Sequence, residues 1–167
     1  MSPRIVNNSR ASTRSHVTPR AIDASGAAVL ANDEWLYGAE AGQARWLRNH
    51  DASRVGMRLL RIDGVDVVTL ARRVFVGLAS VTGRELWRFE PPRTQVAHVA
   101  VAGARLLIGS DEGTLYGLDS ADGTVRFRVK AGLPVVQAPL PYRKRAVVVL
   151  GRGEHTAVYA CEALATG

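Results

Sequence analysis

With 167 residues, 47% of them hydrophobic and 22% charged, the chain has the length of one domain and enough apolar side chains for a core. A single cysteine, Cys161, excludes an intramolecular disulfide and a four-thiolate metal site. The longest apolar stretches, such as Ala146–Leu150, fall far short of the roughly 20 residues a spanning helix needs, so no membrane span is expected. The formal charge of +7 comes from arginines spread along the whole chain; it forms no localised patch, and no nucleic-acid partner is expected.

The chain opens on a leader, residues 1–22, that carries Arg4, Arg10, Arg14 and Arg20 with no apolar stretch behind them. That composition is unlike a secretory signal and predicts a basic, disordered segment. Read with Met1 as the true start, it implies a cytoplasmic protein; read as a truncated exported chain, a periplasmic one.

Residues 23–167 divide into four units, at about 27–50, 55–90, 95–130 and 134–167. The first shows AAVLA, EWLYGA and ARWLRN but no innermost strand, unless the leader supplies it. Ser53–Leu60 is the best helical candidate and is short; nowhere does apolar spacing at i, i+3, i+4 and i+7 persist over a helix length. The second unit reads MRLLRID, DVVTLA, RVFVGLA and ELWRFE, and the third QVAHVAVA, RLLIGSD, TLYGLDS and VRFRVK. The fourth has VVQAPLP, AVVVLGR and HTAVYACEA, with no outer strand left. Short β-rich runs separated by Ala-Gly, Glu-Gly and Ala-Asp-Gly are hairpin signals, because those turns need residues that tolerate positive φ.

Laying Gly77–Phe89 over Gly117–Val129 pairs Gly77 with Gly117, Ser80 with Ser120, Gly83 with Gly123, Trp87 with Phe127 and Arg88 with Arg128. Upstream, Gly42 falls under Gly83 and Trp46 under Trp87. A four-stranded antiparallel unit repeated about every 40 residues predicts an all-β chain, a partial β-propeller of about four blades with the first and last incomplete.

These residues resemble the pyrroloquinoline-quinone-like propeller repeat, whose members include quinoprotein alcohol dehydrogenases and the propeller lipoprotein of outer-membrane assembly. The match is fullest in GLDSADGTVRF, with Gly117, Asp119 and Gly123 at the family's positions, while Phe127 replaces the usual Trp. The second unit has Ala79 where the acid would stand. The resemblance implies that Trp46, Trp87 and Phe127 are blade-docking residues, each stacked on the neighbouring blade. It implies that Asp119 accepts N–H groups in the turn before Gly123, and that Gly42, Gly83 and Gly123 hold conformations closed to other residues.

The same resemblance raises a quinone enzyme as an alternative, binding pyrroloquinoline quinone and calcium once a ring is complete. Calcium wants six to eight oxygen ligands, whereas the acids here fall in turns such as Asp63-Gly64, Asp111-Glu112-Gly113 and Asp122-Gly123. His16, His50, His98 and His155 share no ligand spacing, and His98 reads as a strand histidine satisfied by a neighbour. The expectation is therefore a non-catalytic module with no cofactor and no metal, acting as a protein-interaction scaffold with a protein partner. It would be either a fragment of a longer propeller or half of a homodimeric ring, since four blades leave two faces uncovered.

Overall fold

The structure is a computed structural model and describes residues 18–22, 27–31, 35–41, 43–49, 58–95, 97–152 and 154–161. Among the described residues there are fifteen β-strands and no helix, so none is long and apolar enough to cross a membrane. The first sheet runs β1 (Thr18–Ile22), β2 (Ala27–Ala31), β3 (Trp35–Glu40) and β4 (Gln43–Asn49), each antiparallel to the next. The second comprises β5 (Arg58–Ile62), β6 (Val65–Leu70), β7 (Val74–Ala79) and β8 (Glu85–Phe89). The third comprises β9 (Ala97–Ala102), β10 (Arg105–Ser110), β11 (Thr114–Asp119) and β12 (Val125–Lys130). The fourth has three strands, β13 (Leu140–Tyr142), β14 (Arg145–Arg152) and β15 (His155–Cys161). This is a partial β-propeller with one blade per repeat.

Three expectations change. Thr18–Ile22 is a strand, so the leader supplies the innermost strand of the first blade, and the disordered reading does not hold for residues 18–22. The helical candidate Ser53–Leu60 ends inside β5: Arg58–Leu60 pair with β6, because a five-residue run before an Asp-Gly turn folds back as a hairpin. Residues 1–17 and 51–57 lie outside the described residues. In the fourth blade only Leu140 and Pro141 of the expected VVQAPLP strand, followed by Tyr142, pair with β14, and Val135 makes one isolated bridge to Leu150. Pro139 and Pro141 have no N–H to give, which keeps the ladder short.

The cores lie between blades. Leu36 and Trp46 of the first blade pack with Val68, Leu70, Val76 and Leu78 of the second. Phe75 and Trp87 of the second pack with Leu106, Ile108, Tyr116 and Leu118 of the third. Leu107 and Leu115 of the third pack with Val135, Ala146, Val148 and Leu150. Because alternate residues of a strand face opposite ways, β10 sends Leu106 and Ile108 to one neighbour and Leu107 to the other. All of β6 is buried, Asp66 included; Arg61, its register partner across the Asp63-Gly64 turn, grips the carboxylate at 2.6 and 3.0 Å.

Candidate interblade docking site

In each of the first three blades the outer strand carries its aromatic residue opposite a glycine of the third strand: Trp46 faces Gly38, Trp87 faces Gly77 and Phe127 faces Gly117. The register slips at that glycine in all three, leaving Arg45, Leu86 and Arg126 as the extra residue just before the aromatic. Such a bulge bends the outer strand and re-aims the next side chain. The ring then lies flat over the glycine, where a Cβ on Gly38, Gly77 or Gly117 would overlap it.

The other face of each indole meets the following blade. A Cβ on Gly123 would come within 2.7 Å of the Trp87 ring, and one on Gly83 would overlap Trp46. Both glycines sit at positive φ, +71° at Gly123 and +67° at Gly83, where a side chain is strained in any case. The Trp46 Nε1–H donates to the Ser80 carbonyl at 2.9 Å, and the Trp87 Nε1–H to the Ser120 carbonyl at 2.8 Å. Each acceptor turn is closed in the same way, by Gly83 N–H to Ala79 O and Gly123 N–H to Asp119 O. An indole sandwiched between two glycines with its one donor satisfied is a joint that combines apolar burial with a directional bond.

Asp119 sits at the end of β11, where one carboxylate oxygen accepts the Ala121 N–H at 3.0 Å and the other takes Arg126 at 3.0 Å. In the adjacent turn Asp122 accepts the Thr124 N–H at 2.8 Å, and that bond holds its carboxyl below the usual aspartate value. Phe127 is half-buried and packs on the cluster shared with the fourth blade. A phenyl ring has no N–H to donate, and the turn that would receive it, residues 162–167, lies outside the described residues, as does Gly42. His98 lies on β9 and is partnered. The sequence paired Ser80 with Ser120 but assigned them no role; it missed their carbonyls as acceptors because a backbone group leaves no trace in residue identity.

The inner strands β1, β5, β9 and β13 read TPRAI, RLLRI, AHVAVA and LPY, without an Asp or Glu. That donor set does not fit a calcium ion with its quinone, which needs several oxygen ligands on the axis. No group of three His, Cys, Asp or Glu able to hold a metal ion occurs among the described residues.

The joint recurs at the first two blade boundaries, and a family model described as "Outer membrane protein assembly factor BamB" matches residues 67–164. The chain belongs to that family of PQQ-like β-propellers. BamB from Moraxella catarrhalis superposes with a TM-score of 0.66 at 21% identity, covering 85% of this chain and 45% of that one. The quinohemoprotein alcohol dehydrogenase from Comamonas testosteroni gives 0.55 at 20% identity, over 63% of this chain and 19% of that one. The computationally designed Ika4 protein gives 0.62 at 18% identity, over 88% of this chain and 92% of that one. At these identities the likeness is one of fold, and the chain spans less than half the length of the BamB structure. No curated protein matches the chain by sequence.

Proposed function

We propose that the chain is a non-catalytic propeller module that works as a protein-interaction scaffold, with Trp46, Trp87 and Phe127 as its docking residues and the fourth blade as its contact surface. One observation carries this reading. Val158 and Tyr159 of β15 are 71% and 44% exposed, whereas Leu115 and Tyr116, at the same place in β11, are 1% and 5% exposed. Leu140 of β13, 63% exposed, lies on the same face as Val158, and Tyr159 lies on the opposite one. Apolar side chains left exposed in this way mark a place where another chain or another blade docks. The family's description as an assembly factor supports the same reading, as does an inner-strand donor set that does not suit quinone and calcium. The occupant is further propeller blades, belonging to a longer chain or to a second copy that completes a ring.

Replacing Val158 and Tyr159 with Asp tests the proposal. The double variant is expected to keep the β-sheet circular dichroism of the parent and to lose association in sedimentation velocity; unchanged association overturns the reading. Titration with pyrroloquinoline quinone and calcium is expected to leave Trp emission without a saturable change. Saturable quenching would establish the enzyme alternative instead.

A further inference from the structure

We infer that the turn between β13 and β14, Tyr142 to Arg145, docks an acidic polypeptide segment of a partner protein. The inference rests on the scaffold reading above and names the chemistry that the fourth blade recognises.

The turn differs from its counterparts. In the second, third and fourth blades the first two strands are joined by two residues, Asp63-Gly64, Gly103-Ala104 and Arg143-Lys144. The flanking pairs are Ile62 with Val65, Ala102 with Arg105 and Tyr142 with Arg145. The first residue of each turn sits at positive φ, +45° at Asp63, +60° at Gly103 and +53° at Arg143. Aspartate and glycine suit that backbone and arginine does not, so the turn itself gives no reason for Arg143. All six turn residues are exposed, although the second and third blades each have a following blade packed on them. The tip of the fourth blade therefore stays accessible whatever covers its face.

The charge of this tip is uncompensated. Arg143-Lys144-Arg145 is the one run of three consecutive cations in the sequence, so the expectation that the charge forms no patch does not hold here. Elsewhere arginines are held by acids, Arg61 by Asp66, Arg73 by Glu90 and Arg126 by Asp119. Among the described residues no carboxylate pairs with Arg143 or Lys144. The Arg143 guanidinium lies over the Tyr142 ring, 5.4 Å from its centre. A guanidinium stacked in this way keeps the N–H groups of its edge for an acceptor. With Lys144 and Arg145 the pair lines an open hollow of about 380 Å³, within the range of sites that bury a small group of atoms.

The surroundings favour a peptide. Tyr142 and Leu140 are exposed on one face of β13, so the cations adjoin uncovered apolar side chains. A segment that mixes carboxylates with an apolar residue meets both, whereas inorganic phosphate meets only the cations. Because antiparallel strands alternate in direction, the turns after the first and third strands of each blade share one rim, which places Asp63, Asp119 and Asp122 beside the cationic tip. A nucleic acid laid along that rim would run over these carboxylates, and a bilayer is too flat to enter the hollow. A short acidic segment confined to the fourth blade avoids both conflicts.

The test uses the full 167-residue chain and a short fluorescein-labelled peptide, Asp-Glu-Phe-Asp-Glu, followed by fluorescence anisotropy, with Asn-Gln-Phe-Asn-Gln as the uncharged control. The acidic peptide is expected to bind saturably, at least tenfold tighter than the control, and more weakly as salt is raised. R143Q/K144Q is expected to weaken binding at least fivefold and Y142A about twofold, with the β-sheet circular dichroism of the parent kept. R72Q/R73Q removes the same charge from the β6–β7 turn on the opposite rim and is expected to leave binding unchanged. Equal losses in the two double variants overturn the site in favour of net charge. Phosphate that displaces the peptide at equal concentration assigns the turn to a small anion. Phosphatidylserine vesicles or duplex DNA held through Arg143 and Lys144 more tightly than the peptide assign it to a membrane or a nucleic acid. Each of these overturns the peptide as occupant. An acidic peptide that fails to bind overturns this inference, and leaves the scaffold reading standing where V158D/Y159D still abolishes association.

Discussion

Strands β11 and β15 occupy the same place in successive blades, with similar sequences, TLYGLD and HTAVYAC, and equivalent pairing to the second strand. One is buried almost throughout and the other is exposed from His155 to Ala160. The difference lies in what stands beside them: β11 has β12 on its outer edge and blades on both faces, whereas among the described residues no outer strand or following blade stands beside β15. Burial in this fold is thus conferred by the neighbour and not by the strand. Stability should accordingly be distributed as blade terms plus joint terms, as in other repeat arrays.

The largest expected effect breaks a complete joint. Trp87→Ala removes the ring between Gly77 and Gly123 and the bond to Ser120, and should destabilise by about 3–5 kcal/mol in urea unfolding. Tyr159→Ala, at an uncovered position, should stay within about 0.5 kcal/mol at concentrations where the chain is monomeric. Next, Leu115→Ala should cost about 2–5 kcal/mol while its counterpart Val158→Ala stays within about 0.5 kcal/mol; similar values for the two would refute the contrast. Gly117→Ala forces a Cβ into the Phe127 ring and should cost about 1–3 kcal/mol, whereas Ala160→Gly, at an exposed position with no ring above it among the described residues, should cost only the glycine entropy of about 0.5–1 kcal/mol. The smallest effect is chemical. Burial pushes the Cys161 thiol above its usual pKa, so at pH 8 iodoacetamide should label it more slowly than a cysteine placed at the exposed position 158 in a Cys161→Ala background.

Much of the architecture was legible because the repeat is carried by side chains. The spacing of Gly77, Gly83 and Trp87 against Gly117, Gly123 and Phe127 located two blades and pointed to Trp87, which packs between them. Strands β5 to β12 follow from alternation and from the Asp-Gly, Ala-Gly and Glu-Gly turns that close them. What escaped was carried by the backbone or by context. TPRAI holds Pro19 and Arg20 and has no strand pattern, yet it pairs with β2 because the blade has an inner place to fill. The Ser80 and Ser120 carbonyls could be found only in three dimensions. The Arg61–Asp66 pair could have been found from sequence, since the two flank the Asp63-Gly64 turn at positions that must oppose each other.

The bond from each indole to a carbonyl in the next blade joins the same atoms at nearly the same separation, 34 residues in one case and 33 in the other. Identical fasteners impose the same rotation at these two boundaries, so the angular step there is inherited with the repeat. How many units complete a circle is then a quantity set at a tryptophan and two glycines. A change of a few degrees there would be multiplied around the circumference until the ends no longer met.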